Sequence, residues 1–198
     1  MTEVFHVLAA LVGGYLLGSI PFGVILTRAF GAGDLRQIGS GNIGATNVLR
    51  TGRKGLAAST LVLDMAKGAA AVILAQAIDP HLTLIAGAGA FFGHLYPVWL
   101  GFKGGKGVAV MLGISLALVW QVGLIFAAVW LGMLAISRIS SVSGMAAALS
   151  APVAAFAFGQ REMALMLAGL ALILIWKHSE NIARLRNGTE PRVGQKDA

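Results

Sequence analysis

The apolar segment Val108–Ile136, which lies within the longest stretch without a charged residue, limits the possible folds more than any other feature of the chain. Its 29 residues contain only Ser115 and Gln121 as polar interruptions. As a helix it would be roughly 43 Å long, too long for one perpendicular crossing of a hydrocarbon core and too short for two full ones. Charged residues make up 12% of the chain, about half the roughly 25% share of soluble domains. We therefore predict an all-α polytopic integral membrane protein.

The distribution of basic residues predicts how the chain crosses the membrane. Five further apolar segments are Val4–Thr27, Leu56–Ile78, Leu82–Leu100, Val142–Phe158 and Met163–Trp176. Lys and Arg concentrate in breaks at Arg28–Lys54, Lys103–Lys106, Arg138 and Lys177–Lys196. These breaks share the cytoplasmic side only if Val108–Ile136 crosses twice, turning near Trp120–Gln121. We predict seven transmembrane helices, two of them short, with the N-terminus outside and the C-terminus cytoplasmic. A single tilted crossing of Val108–Ile136 is the alternative.

Composition and charge exclude several classes of protein. The absence of cysteine excludes disulfides and thiol catalysis. The net charge of +7 comes from residues between apolar runs, which is a topology signal and not a nucleic-acid stripe. No Lys or Arg precedes Arg28, so we expect the first apolar segment to be retained and not cleaved as a signal peptide. Asp64 and Lys67 lie three residues apart within a span, where we expect them to pair, a functional path being the alternative.

The first of three polar stretches is Ser40–Arg50, SGNIGATNVLR, preceded by Gly39. Its glycines allow close approach of the backbone to a ligand, and successive N–H groups can form an anion-binding concavity. Ser, Thr and Asn add hydrogen-bond donors, and Arg50 adds a planar fork suited to phosphate or carboxylate. The simpler interpretation is a hairpin loop between membrane helices. Two further stretches of the same character favour a site.

The second stretch, Gly93–Gly107, has the sequence GHLYPVWLGFKGGKG. It is not a P-loop, because Gly107 follows Lys106 and Leu100 stands where the first glycine belongs. The start of a helix at Val108, preceded by glycines and lysines, nonetheless suits an anion. His94 lies near the end of the third apolar segment, where a structural hydrogen bond is the simpler role.

The third stretch, Lys177–Gly188, has the sequence KHSENIARLRNG. His178 and Asn181 lie three residues apart, so they share a helix face, which we expect to be directed at the bundle. From Arg186 onward the tail also suits a basic anchor on anionic lipid. That anchor role does not explain His178 and Asn181.

Together SGNIGATNVLR, GHLYPVWLGFKGGKGVA and KHSENIARLRNGTE resemble the three motifs of the bacterial acyl-phosphate:glycerol-3-phosphate acyltransferases, the PlsY family. GSIPFG and VLDMAKG extend the resemblance over essentially the whole chain. One departure is Val110, where the family often has a threonine. The resemblance implies a single integral membrane acyltransferase domain, residues 1–198, in the bacterial plasma (inner) membrane with its active site facing the cytoplasm.

The implied reaction moves a fatty acyl group from acyl phosphate to the sn-1 hydroxyl of glycerol 3-phosphate, giving lysophosphatidic acid and phosphate. This is the first acylation step of bacterial phospholipid synthesis, and the resemblance also implies functional coupling to an acyl-phosphate-forming enzyme. We expect no cofactor, no metal and no nucleic-acid partner. Direct transfer needs no covalent intermediate, because acyl phosphate is a mixed anhydride with a good leaving group. An acyl intermediate on Ser40 is the alternative.

Site residues are predicted on these motifs. The predicted catalytic residues are Ser40, Arg50, Lys106 and His178. The predicted substrate-binding residues are Gly41, Asn42, Thr46, Asn47, His94, Lys103, Gly104, Gly105 and Asn181. Positive side chains would neutralise two phosphate groups while the glycine-rich backbone donates hydrogen bonds. Either His178 or the leaving phosphate would accept the proton of the attacking hydroxyl.

Three rival functions fit the sequence less well. Coenzyme-A-dependent membrane acyltransferases typically carry a His followed four residues later by Asp, and no His in this chain is followed in that way. An anion transporter or channel would place polar groups near mid-membrane, often in inverted repeats. No convincing repeat is present, and the polar clusters lie at span ends. A scaffold protein would not need three phosphate-suited loops.

Overall fold

The computed structural model describes residues 2–194, which form helices joined by turns with no β-strand in that range. The described chain divides into two compact units, residues 2–118 and 119–194. The all-α prediction is confirmed.

Six α-helices form the first unit. They are α1 (Thr2–Gly18), α2 (Phe22–Ala29), α3 (Ala45–Leu49), α4 (Lys54–Ile78), α5 (Thr83–Leu95) and α6 (Val108–Leu118). α1 packs on α5, and α4 packs on both α5 and α6. Glycines permit these close contacts: a Cβ atom at Gly18 would overlap the Ala90 carbonyl, and one at Gly93 would overlap the Tyr15 carbonyl. Small residues at helix contacts are what packing in lipid favours.

The first apolar segment is broken, whereas the sequence predicted one continuous span. α1 ends at Gly18 and α2 starts at Phe22, with Pro21 between them. Proline has no N–H group, so it cannot continue the hydrogen bonding of the preceding helix. The two helices together still form a candidate span of 27 residues, Glu3–Ala29.

The long segment Val108–Ile136 is also broken, close to the predicted turn. α6 ends at Leu118, Val119 is extended (φ −146°, ψ 101°), and α7 occupies Trp120–Ser137. The sequence predicted that both helices of this segment would be short. α6 is short, with 11 residues, whereas α7 has 18 residues and is long enough to cross a membrane.

The second unit contains α7, α8 (Ser140–Ala157), α9 (Arg161–Lys177) and α10 (Ser179–Arg186). α8 packs on both α7 and α9. Ala147, Ala151 and Ala155, spaced four apart on α8, are fully buried, so this helix buries one small-residue stripe. At His178 the chain bends by 57° between α9 and α10.

The described helices fit an integral membrane protein. Five are long and apolar enough to cross a membrane, and α9 with α10 adds a sixth if the bent pair is one span. Many of the large apolar side chains on these helices are exposed, such as Ile78, Val153 and Leu165. Lipid contact satisfies such side chains, whereas water does not.

Candidate active site

A single buried amide organises the first loop, residues 35–50. The side chain of Asn47 donates from Nδ2 to the carbonyl oxygens of Leu35 (3.1 Å), Ile38 (2.9 Å) and Asn42 (2.8 Å). Its Oδ1 accepts from the Ser40 N–H at 3.2 Å. Asn47 is only 3% exposed, and α3 places it inside the curve of the loop. These contacts indicate that Asn47 shapes the loop from within.

The other predicted residues of the first loop lie on its surface or rim. Arg50 and Ser40 are exposed, and Arg50 lies over Gly39 so that an added Cβ there would be 2.6 Å from Nη1. Thr46 is also exposed. Gly41 has a positive φ of 67°, and Asn42 Oδ1 accepts from the Gly44 N–H at 2.9 Å. The loop therefore presents a guanidinium and a hydroxyl beside a glycine backbone.

Asp34 fixes the chain just before this loop and was not anticipated from the sequence. Its carboxylate contacts the guanidinium of Arg36 at 2.6 Å and that of Arg28 at 2.9 Å, and it accepts from the Arg36 N–H. The hydrogen bonds from Arg36, and then those from Arg28, hold the pKa of Asp34 well below its usual range. Two of the basic residues in this break are thus paired with a carboxylate.

The second polar stretch packs its backbone against the end of α5. The N–H groups of Gly104 and Gly105 donate to the carbonyl oxygens of Leu95 (3.1 Å) and His94 (3.0 Å). This differs from the expected donor role of the glycines, because both amides are used inside the protein. Lys103 is exposed and Lys106 is half-buried. Gly107, with φ of 89°, directs the chain into α6.

Two aromatic side chains attach this stretch to α1. The Tyr15 hydroxyl donates to the Tyr96 carbonyl at 2.7 Å, and the Trp99 indole donates to Ser19 Oγ at 2.8 Å. Ser19 directly follows the end of α1, so the hydrogen bond from Trp99 attaches the loop to the break after that helix. The first half of the stretch is therefore anchored to α1 and to the break that follows it.

Asp64 and Lys67 form the expected pair inside α4. Lys67 Nζ lies 2.8 Å from Asp64 Oδ1 and donates to the Ile20 carbonyl at 2.7 Å. Both side chains are almost fully buried, and His94 Nδ1 lies 3.7 Å from the same Asp64 oxygen. The prediction of pairing is confirmed, with a histidine of the second stretch as an additional neighbour.

In the second unit, the third stretch surrounds a buried carboxylate. Glu190 accepts from Ser141 Oγ (2.6 Å), Asn181 Nδ2 (2.5 Å) and Arg184 Nε (2.7 Å). Burial alone would raise the pKa of Glu190, but these three hydrogen bonds and the positive charge of Arg184 lower it below its ordinary value. Glu190 is therefore an ionised acceptor that joins the start of α8 to α10.

His178 occupies the bend between α9 and α10 and is 4% exposed. Its Nδ1 lies 2.8 Å from the Leu174 carbonyl. A carbonyl only accepts, so Nδ1 carries the proton, and in the neutral ring Nε2 is the basic nitrogen. Asn181 is 8% exposed, so both residues of the predicted face are buried within the unit.

The structure thus groups the predicted residues by loop. In the first unit, Asn47 holds Ser40 and Asn42, and His94 holds Gly105. Two residues that the sequence did not single out, Ser141 and Glu190, belong to the contacts of Asn181. The signal for Ser141 was the serine-rich start of an apolar segment, and for Glu190 the end of the third motif. Among residues 2–194 no group of three or more His, Cys, Asp or Glu is placed to hold a metal ion.

Apolar helices whose connecting loops carry basic and amide side chains beside glycines define a helical integral membrane protein suited to anionic ligands. The model of one protein family, described as glycerol-3-phosphate acyltransferase, matches residues 8–188. The chain belongs to this family, as its motifs predicted.

Curated relatives are similar over nearly the full length. The chain is 55% identical over 192 residues to the glycerol-3-phosphate acyltransferase of Mesorhizobium japonicum, covering 97% of this chain and 98% of that one. It is 57% identical over 197 residues to the protein of the same name from Maricaulis maris, covering 99% of this chain and 91% of that one.

Two solved structures have a similar fold. Both are described as PlsY (YgiH), an integral membrane glycerol 3-phosphate acyltransferase. The glycerol 3-phosphate form matches with a TM-score of 0.90 at 38% identity, covering 95% of this chain and 96% of that one. The lysophosphatidic acid form matches with a TM-score of 0.86 at 36% identity, covering 98% and 96%. The expected resemblance to the PlsY family is confirmed.

Proposed function

We propose that this protein transfers a fatty acyl group from acyl phosphate to the sn-1 hydroxyl of glycerol 3-phosphate, releasing lysophosphatidic acid and phosphate. The observation that carries the proposal is family membership over residues 8–188 together with basic, glycine-containing loops in all three motifs. Relatives with this fold are described in glycerol 3-phosphate and lysophosphatidic acid forms. Those are the acceptor and the product of this reaction.

Charge is the main requirement of the reaction, because both substrates carry phosphate groups. Arg50 is exposed beside Gly39, so its fork is accessible to a phosphate. Lys106 follows two glycines whose close packing brings it to the start of α6, and Lys103 adds a second, exposed ammonium. Gly104 and Gly105 then act by allowing this close approach of the backbone. His94, Gly41, Asn42 and Thr46 complete the proposed binding residues of the first unit.

The chemical step is a direct acyl transfer. The acceptor hydroxyl oxygen attacks the acyl carbonyl carbon, a C–O bond forms, and the bond between that carbon and the phosphate oxygen breaks. The hydroxyl proton passes to the leaving phosphate or to Nε2 of His178, whose Nδ1 proton is held by Leu174. Asn181, fixed by Glu190, and Ser40 bind the reacting groups through hydrogen bonds.

The first test is phosphate release by the detergent-purified protein given palmitoyl phosphate with and without glycerol 3-phosphate. We expect release that depends on glycerol 3-phosphate, with 1-acyl product identified by mass spectrometry after regiospecific lipase digestion. A parallel reaction substitutes palmitoyl-CoA, for which we expect no turnover. Turnover with palmitoyl-CoA alone would refute acyl phosphate as the donor. No turnover with either donor, in a protein shown to be folded, would refute the activity.

Substitution of Lys106 tests the charge requirement. Removing one preorganised charge or donor from a transition state costs roughly 100- to 1,000-fold in rate, so we expect Lys106→Ala to lower kcat/KM by that factor. Lys54→Ala is the matched control, because Lys54 is an exposed lysine at the start of α4. An equal effect of both substitutions would show that only overall charge matters.

The two proton acceptors are separated by His178→Ala. If His178 is the base, kcat falls by roughly 100- to 10,000-fold and the acid limb of the pH–rate profile disappears. If turnover is nearly intact, the leaving phosphate is the base and His178 is a positioning residue. A covalent acyl adduct trapped on Ser40 would overturn direct transfer, whereas wild-type protein that turns over acyl phosphate without accumulating such an adduct on acid quench would support it.

The proposed topology has seven crossings, with the N-terminus outside and the loops of the three motifs in the cytoplasm. It places Gln160 outside, whereas a single crossing of residues 108–136 would place it inside. Because the chain has no cysteine, Gln160→Cys and Gly188→Cys give clean single labels. We expect a membrane-impermeant maleimide to label intact spheroplasts at position 160 and not at position 188. The reverse pattern would refute seven crossings.

The remaining parts of the proposal concern cellular context. The protein would act as one functional domain in the bacterial inner membrane, with both units required. An enzyme that forms acyl phosphate would supply its donor. Co-purification of such an enzyme activity, or channelling of labelled acyl phosphate in isolated membranes, tests this coupling.

A further inference from the structure

A buried ionic cluster in the first unit has no role in the reaction as described above. Lys67 Nζ contacts Asp64 Oδ1 at 2.8 Å and the Ile20 carbonyl at 2.7 Å, and the Phe22 ring centroid lies 5.8 Å from the same nitrogen. The side chains of Asp64 and Lys67 are 3% and 2% exposed. Charges inside a membrane span are costly and usually serve a function. The cluster therefore needs an explanation beyond pairing.

The cluster reaches the second polar stretch through His94. His94 Nδ1 lies 3.7 Å from Asp64 Oδ1, within the range of an ion pair and longer than a direct hydrogen bond. The other side of the imidazole lies against the backbone of the loop, because a Cβ atom at Gly105 would overlap His94 Nε2. The ring is thus enclosed between the Asp64 carboxylate and Gly105.

The backbone of His94 holds the same loop. Its carbonyl accepts the Gly105 N–H at 3.0 Å, and the neighbouring Leu95 carbonyl accepts the Gly104 N–H at 3.1 Å. Lys106 follows directly, so the path of the loop determines where its side chain begins. A shift of the imidazole would move Gly105 and hence Lys106.

We propose that the Asp64–Lys67 pair is a positioning device that sets the orientation of His94 and thereby the placement of Lys106. This inference rests on the proposed role of Lys106 in the acyl transfer. Lys67 neutralises the carboxylate and ties it to the break after α1, at Ile20. Asp64 faces one side of the His94 imidazole, and Gly105 faces the other side.

A purely structural pair would behave differently in a double-mutant cycle. Asp64→Asn preserves size and removes the charge that faces His94. We expect it to lower kcat/KM at least tenfold when Lys106 is present and less than twofold in a Lys106→Ala background, because coupled residues give non-additive effects. The same factor in both backgrounds would overturn the proposal. Thr60→Val is the control: Thr60 is buried on α4, and its hydroxyl donates to Leu56 of the same helix.

Hydrogen exchange tests the inference without relying on activity. We expect Asp64→Asn to speed exchange of the Gly104 and Gly105 amides at least tenfold while the amides of α6 keep their protection. Uniform acceleration over the unit, or no change at the glycines, would overturn the proposal. If wild-type protein shows no acyl transfer, this readout still decides the inference, so the two failures are distinguishable.

A second variant covers the case in which Asp64→Asn does not fold. Replacing both partners by apolar residues, Asp64→Leu with Lys67→Leu, removes the buried charges together, and such exchanges are often tolerated. We expect this folded double variant to show the same faster glycine exchange and a loss of kcat/KM of at least tenfold. Normal exchange and normal activity would mean that the pair does not position the loop.

Discussion

Replacing Asn47 by aspartate tests whether one buried amide holds the first loop. Asn47 Nδ2 donates to three carbonyl oxygens at 2.8–3.1 Å, and its Oδ1 accepts from the Ser40 N–H. Aspartate has the same shape and keeps the acceptor, but it replaces the donating NH2 group with an acceptor oxygen that faces three carbonyl oxygens. We therefore expect Asn47→Asp to disrupt the loop more than Asn47→Ala does.

The magnitude follows from the contacts. The amide nitrogen has two hydrogens, so Asn47→Ala removes about two donated hydrogen bonds and one accepted bond, each contributing roughly 0.5–1.5 kcal/mol net. The loss is about 2–4 kcal/mol of local stability, which corresponds to roughly 30- to 1,000-fold faster opening of the loop. Repulsion between a carboxylate and the three carbonyl oxygens lowers the local stability of the loop further in the aspartate variant.

The assay is hydrogen exchange of peptides covering residues 35–50 in detergent, with peptides of α8 as an internal reference. Asn42→Asp is the matched control, because Asn42 Oδ1 accepts from the Gly44 N–H and a carboxylate oxygen does the same. We expect exchange to be fastest in Asn47→Asp, slower in Asn47→Ala, and close to wild type in Asn42→Asp. Equal exchange in the two aspartate variants would refute the role assigned to Asn47.

Three further predictions follow from packing, charge and composition. Gly93→Ala brings a Cβ onto the Tyr15 carbonyl, so we expect a loss of about 1–3 kcal/mol; Gly169→Ala, with nothing within 4 Å, should not lower the thermal midpoint in detergent. The lowered pKa of Glu190 stabilises the fold above about pH 4.5, and this stabilisation is lost on acidification. We therefore expect the thermal midpoint of Glu190→Gln to fall less steeply below that pH than the midpoint of the wild type. Activity should survive EDTA; loss restored by a divalent ion would contradict the expectation of no metal.

The sequence predicted the helical segments well because lipid imposes a strong constraint on them. A backbone inside hydrocarbon must satisfy its own hydrogen bonds, so long apolar runs become helices. A turn near Trp120–Gln121 was also predicted, from the distribution of basic residues. The helix is interrupted close to that point, at Val119, and the second crossing stays a prediction. The break at Pro21 was missed, because the segment was interpreted from its apolar length alone although the proline within it disfavours a continuous helix.

The predicted site residues lie in or beside the connections between helices, but their individual contacts were not predictable from the sequence. Asn47 looked like a ligand for substrate and instead binds three carbonyl groups of its own loop. Gly104 and Gly105 looked like amide donors for phosphate and instead donate to the end of α5. In each case the hydrogen-bond partner is a backbone carbonyl group. The residue types in a motif do not show which carbonyl groups the fold brings close to it.

The sequence by itself determined the class of protein, the family and the stretches that carry polar chemistry, since these depend on composition, hydrophobic length and motif. Only the tertiary structure decided which polar groups are used inside the protein. It joined Asp64 to His94 across α4 and α5, and Glu190 to Ser141 across 49 residues of chain. Such contacts depend on how helices pack, because a buried charge selects whatever partner the packing brings within a few ångströms.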